Sequence, residues 1–195
     1  MKPTKFETAI AIIDKKNAED ADTYQVLDLA YPKELLYSQR MTRRLLAFDP
    51  SASDALKIAA RAQHICRWKI QRNEYPMDRV GYLKWRQKLK KMHAEITGEI
   101  LQEVGFETQF IKRVQKIILK KSIKKNEESQ TLEDTICLVF LEFYFVAFAA
   151  KHTDEKVIDI LKKTWVKMSE KGHAAALLIP FSEASLALVK QAISQ

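Results

Sequence analysis

His64 and Arg67 stand three residues apart, His93 follows His64 after 29 residues, and Asp134 comes 41 residues later. Imidazole, guanidinium and carboxylate groups can move protons, hold phosphate or bind a divalent ion. Here each falls on an apolar stripe. Leu56, Ala60, His64 and Arg67 recur at i, i+4, i+8 and i+11, while Leu89, His93, Ile96 and Ile100 share one helical face. Asp134 shares its face with Cys137, Leu138 and Leu141. Burying such groups unpaired costs several kcal/mol, so they must satisfy one another or hold a metal ion or an anion. Imidazoles and a carboxylate from facing helices can bind a divalent ion, whose water then becomes a nucleophile toward phosphate esters.

Helix signals run along the whole chain. Thr4-Lys-Phe-Glu7 is a capping box, and Phe6, Ile10 and Ile13 follow at helical spacing, predicting a helix from about residue 4 to about residue 17. An acidic turn follows it. Pro32 opens a second helix with a stripe of Leu35, Leu36, Ser38, Met41 and Leu45, stopped by Asp49-Pro50. Ser53 or Ser51 caps a third, expected to reach about Trp68. After a loop at Tyr75-Pro76, a long helix is expected from about Asp78 to Val104, ending at Gly105. Phe110, Val114, Ile117 and Ile118 mark a fifth, and Thr131 begins a sixth, apolar almost all round and expected to be the central core element. Thr153 caps a seventh bearing Val157, Leu161, Trp165 and Met168 and ending at Gly172, and Ser182 opens a last one with Leu186, Val189 and Ile193. No strand pattern competes, so the expectation is all-α: a single compact helical domain over 1–195 with about seven or eight helices.

The 195 residues are 47% apolar, enough for one substantial core, and the 4 glycines form neither a G-x-G-x-x-G nor a G-x-x-x-x-G-K-[ST] loop. Dinucleotide-binding and P-loop folds are thereby excluded. Basic residues number 33 against 25 acidic ones, and the excess is local. Residues 1–54 carry 8 basic and 9 acidic side chains, residues 55–125 carry 18 and 6, and residues 126–195 carry 7 and 10. An anionic partner would meet the middle third, whose net charge is +12. Lys112, Lys116, Lys120 and Lys124 fall at i+4 spacing with Arg113, Lys121 and Lys125 beside them, and residues 84–91 add a second basic run. These residues either track phosphates or form a solvated helix face. Trp68, Tyr75, Tyr82 and Trp85 surround the arginines of this segment and could stack a base. Cys66 and Cys137 lie in apolar patterns and make neither a disulfide framework nor a zinc site, which points to a reducing, cytoplasmic setting. Met1-Lys-Pro-Thr-Lys5 lacks the apolar run of an export signal. The most apolar stretch, residues 135–150, falls short of the roughly 20 residues that span a bilayer and contains Glu142, so no membrane is expected.

The order His64-x-x-Arg67, His93 and a distal Asp134 at the start of an apolar helix resembles the HD-domain phosphohydrolases. That superfamily is all-α, binds divalent metal through His, His-Asp and a distal Asp, and hydrolyses phosphate esters. Over most of the chain, the blocks Ala62-Gln-His-Ile-Cys-Arg-Trp68, Tyr75-Pro-Met77, Gly81-Tyr-Leu-Lys-Trp-Arg86, His93-Ala-Glu95, Leu132-Glu-Asp-Thr-Ile-Cys-Leu-Val-Phe-Leu-Glu142 and Lys171-Gly-His-Ala-Ala-Ala-Leu177 resemble the bacterial and fungal "domain of unknown function" family 4202. The HD resemblance implies an HD-like fold in which His64, His93 and Asp134 hold Mn, Fe, Ni, Co or Zn, with Glu133 or Glu95 as base. It implies Arg67, Arg79 and Arg86 on substrate phosphate; Trp68 and Tyr82 lie among these arginines as candidate binding residues, and His173, just beyond Gly172, either caps carbonyls or approaches the site. Ala94 stands where the dyad's Asp would be. The implied substrate is a phosphorylated small molecule or nucleotide. The alternative is a non-catalytic module whose basic middle segment docks RNA or another polyanion.

Overall fold

A computed structural model describes residues 2–120 and 126–194, in two compact units, residues 1–129 and 130–195. Both are mainly helical.

The first unit opens with α1 (Lys5–Asn17), whose capping box has Glu7 N–H donating to Thr4 Oγ1 and Thr4 N–H to Glu7 Oε2. The expected acidic turn is instead largely an antiparallel hairpin, β1 (Thr23–Val26) and β2 (Leu29–Pro32), in register Val26↔Leu29 around a two-residue turn. Strands of four residues are too short to leave a period-2 signal, and turn residue Leu27, at φ 54°, has none of the usual turn chemistry. α2 (Lys33–Phe48) starts after Pro32, which offers no side-chain cap; Asp20 takes that role, accepting from the backbone N–H of Glu34 at 3.1 Å. Its buried face is Glu34, Tyr37, Ser38, Met41 and Leu45, whereas Leu35 and Leu36 of the expected stripe are only half-buried.

α3 (Asp54–Arg61) is capped by Ser53 and ends well before Trp68. Cys66 adopts a left-handed backbone, φ 54°, and donates its N–H to Asn17 Oδ1 at 3.2 Å, so residues 62–66 turn and 67–69 wind as a single 3₁₀ turn. α4 (Arg79–Val104) matches its sequence signals: Asp78 accepts from Gly81 N–H, and Gly105 closes the helix at φ 85°. A Cβ at Gly81 would sit 2.0 Å from the Pro76 carbonyl oxygen, so only glycine lets the first turn of α4 lie on that loop. α5 (Thr108–Leu119) packs on α4 and α3, burying Val114, Ile117 and Ile118. Lys112 and Lys116 are exposed, but Lys120 is the left-handed cap of α5 and is buried, which breaks the basic row; Lys121, Lys124 and Lys125 lie outside the described residues. α6 (Glu127–Val139) begins before Thr131, and in its first turn Glu128 takes a two-pronged ion pair from Arg113 at 2.8 and 2.9 Å.

In the second unit α6 runs into one π turn (Phe140–Tyr144) and α7 (Phe145–Ala149). The expected helix from Thr153 to Gly172 is two helices, α8 (Asp154–Trp165) and α9 (Glu170–Leu177), because Ser169 caps a new start and accepts from Gly172 N–H. α10 (Glu183–Ile193), capped by Ser182, packs against α8 over Val157, Leu161 and Val189. Among the described residues no helix is long and apolar enough to cross a membrane.

Candidate functional site

The first unit gathers four ionisable side chains. Glu34 comes from the first turn of α2, His64 and Arg67 from the turns after α3, and His93 from the middle of α4. Arg67 Nη1 lies 3.3 Å from His64 Nε2 and Glu34 Oε2 lies 3.1 Å from His64 Nδ1. A guanidinium only donates, so Nε2 accepts and Nδ1–H donates to the carboxylate, which makes His64 a neutral bridge between an anion and a cation. Burial, reinforced by Arg67, Arg86, Lys120 and Lys33, holds this imidazole well below the ordinary histidine range. Burial also pushes the Glu34 carboxyl up, against the pull of Arg67 and Lys33. Tyr37 stacks on His64 at 3.9 Å and 12°, fixing the ring from the α2 side.

His93 is 2% exposed, and its ring lies 6.1 Å from that of His64. Its Nδ1 is 2.7 Å from the Ile65 carbonyl oxygen, which can only accept, so Nδ1 carries the proton and Nε2 presents a lone pair. That Nε2 is buried and has no hydrogen-bond partner. Burial, then the neighbouring His64, lowers this histidine to about 3.

Aromatic rings and arginines form the wall beside the cluster. Arg67 lies over Trp85 at 4.6 Å, and Trp85 donates its indole N–H to the Ile70 carbonyl at 2.9 Å. Arg86 donates to Tyr82 Oη at 3.1 Å, and Arg72 stands 6.0 Å from both the Tyr82 and the Trp85 rings. Tyr82, Trp85, Leu89 and His93 recur at helical spacing, so α4 carries the site from an exposed rim at Tyr82 to a buried floor at His93.

A family model described as "Domain of unknown function (DUF4202)" matches residues 7–189. The chain belongs to this family. No curated protein and no solved structure matches it.

Other residues singled out in the sequence of this DUF4202 domain stand elsewhere. Glu95 is exposed, about 200° round α4 from His93, and Arg79 is exposed at the start of that helix. Trp68 is half-buried on the 3₁₀ turn. Asp134, Glu133 and His173 belong to the second unit. There Asp134 accepts from Ser169 N–H at 2.8 Å, Ser169 Oγ at 2.6 Å and Gln130 Nε2 at 3.1 Å, tying α6 to the start of α9. A Cβ on Gly172 would meet its Oδ1 at 2.7 Å, so glycine permits the approach. His173 Nε2 donates to the Trp165 carbonyl at 2.8 Å while its ring stacks on Trp165 at 3.9 Å, closing the end of α8. Glu133 is buried.

Among the described residues no three His, Cys, Asp or Glu side chains group closely enough to hold a metal ion. Of the three implied ligands, both His64 nitrogens and both Asp134 oxygens already have partners, and His93 Nε2 offers an open lone pair. As a set, these donors fit a divalent ion poorly.

Glu34 and Tyr37 were not singled out in the sequence, and Lys120 only as a member of the basic row. Glu34 had a signal, since it precedes Tyr37, Ser38, Met41 and Leu45 by 3, 4, 7 and 11 residues and so lies on the buried face. The burial of Lys120 had none, because the left-handed cap that takes it out of the basic row follows no helical period.

Proposed function

We propose that the Glu34, His64, Arg67 and His93 cluster binds the phosphate-bearing end of a phosphorylated small molecule or nucleotide. The observation that carries this reading is the charge around His64: Arg67, Arg86, Lys120 and Lys33 bear on it, and Glu34 is the buried carboxylate that pairs with it. A phosphate is the natural counter-ion for such a set, and a guanidinium offers it two parallel donors. Tyr82, 41% exposed beside Arg86, supplies a ring on which a base can stack. In calorimetry with a panel of sugar phosphates and nucleotides, Arg86→Ala is expected to weaken binding by at least about ten-fold, some 1.4 kcal/mol. Unchanged affinity in that variant would sink the reading. The polyanion alternative makes a different demand, in which an RNA oligomer binds more tightly than any mononucleotide and its affinity falls steeply with salt.

A second reading, metal-assisted hydrolysis of the bound phosphate ester within an HD-like arrangement of helices, is favoured by one feature. The Nδ1–H of His93 is locked on the Ile65 carbonyl, which leaves Nε2 as metal-bound imidazoles need it. Elemental analysis of protein purified without chelator, beside His93→Ala, decides between the two. Stoichiometric metal that vanishes in the variant supports hydrolysis; none, even after Mn is added, leaves the binding site alone.

A further inference from the structure

We infer that the ligand of this site carries, besides its phosphate, a hydroxyl that donates to His93 Nε2, which selects sugar phosphates and ribonucleotides over their deoxy counterparts. This rests on the phosphate-binding reading and deepens it.

The argument is an accounting of protons. His93 Nε2 is an acceptor, because the Ile65 carbonyl fixes the proton on Nδ1. A buried acceptor without a donor is rare and costly. No donor of the cluster lies within hydrogen-bond reach of it. His64 gives its N–H to Glu34, Arg67 turns Nη1 to His64, and the Glu34 carboxylate only accepts. The missing donor is therefore a neutral O–H or N–H from outside the cluster.

A phosphate dianion cannot be that donor, because its oxygens only accept, and its place is with the arginines. On the phosphate-binding reading, the donor is a second group on the same ligand. His64 neighbours both groups, its ring 6.1 Å from that of His93 and its Nε2 3.3 Å from Arg67 Nη1, so both lie within the reach of a phosphorylated sugar. A site that hydrogen-bonds a ligand hydroxyl rejects the analogue lacking it, because the polar group is then buried unpaired.

The test uses the full chain at pH 7.5 and calorimetry with adenosine 5′-monophosphate, its 2′,3′-dideoxy analogue and inorganic phosphate. The expected result is a ribose form bound about 10- to 100-fold more tightly than the dideoxy form. His93→Leu is expected to collapse that ratio toward one, and His93→Gln, which keeps an acceptor near the Nε2 position, to retain part of it. Equal affinity for the two nucleotides in the wild type overturns this inference and leaves the phosphate reading standing. A ratio that survives in His93→Leu overturns the assignment to His93. If no phosphorylated probe binds, both readings fall. Should His93→Leu not fold, the wild-type ratio and the His93→Gln variant still decide.

Discussion

Between pH 6.5 and about 3 the protein is expected to lose on the order of 4 kcal/mol of stability through His93 alone. In the unfolded chain this imidazole takes up a proton near 6.5, whereas in the fold burial and His64 delay uptake to about 3. Its folded-state pKa is depressed, so the stability is present above 6.5 and drains as pH falls toward 3. His64 is shifted the same way and adds to the same limb, while Glu34, raised by burial, favours the fold as the carboxylate range is entered and opposes part of the loss. Urea unfolding at pH 7.5, 5.5 and 4.5 would read this. His93→Gln, which has nothing to titrate there, should give a clearly shallower slope than the wild type, and parallel slopes would refute the assignment.

Removing the Asp134 carboxylate is expected to cost about 3 kcal/mol, because three donors lose their acceptor and α9 loses the contact that orients its cap. Asp134→Ala should shift the urea midpoint and open residues 166–170 to protease, and Asp134→Asn, which keeps one carbonyl oxygen, should show a smaller shift. The opposite pattern, full stability with loss of bound metal, would make Asp134 a ligand rather than a helix anchor.

The inward turn of His93 was legible because a helical stripe reports which face is buried, and α4 is long enough for the period to be plain. The partner of His64 was not. The carboxylate expected opposite the histidines was Asp134, yet the one bonded to His64 is Glu34, 30 residues upstream on a helix whose rotation is set by packing through Tyr37, Met41 and Leu45. Nothing local distinguishes a carboxylate that will meet an imidazole from one that will cap a helix, and Asp134 does the latter across 35 residues.

By itself, then, the sequence determined the helical class, the capping box at Thr4, the span of α4 between Asp78 and Gly105, and the concentration of positive charge in residues 55–125. These are properties of neighbouring residues or of composition, and they hold whatever the chain packs against. Tertiary structure alone decided that α3 stops at Arg61, that Ser169 breaks the expected seventh helix, and that His93 is left with an unpaired nitrogen. Each depends on an atom far along the chain: Asn17 bonding Cys66, Asp134 bonding Ser169, and the Ile65 carbonyl fixing a proton on His93. A hydrogen bond between distant residues has no period and leaves no trace in the sequence until the chain has folded.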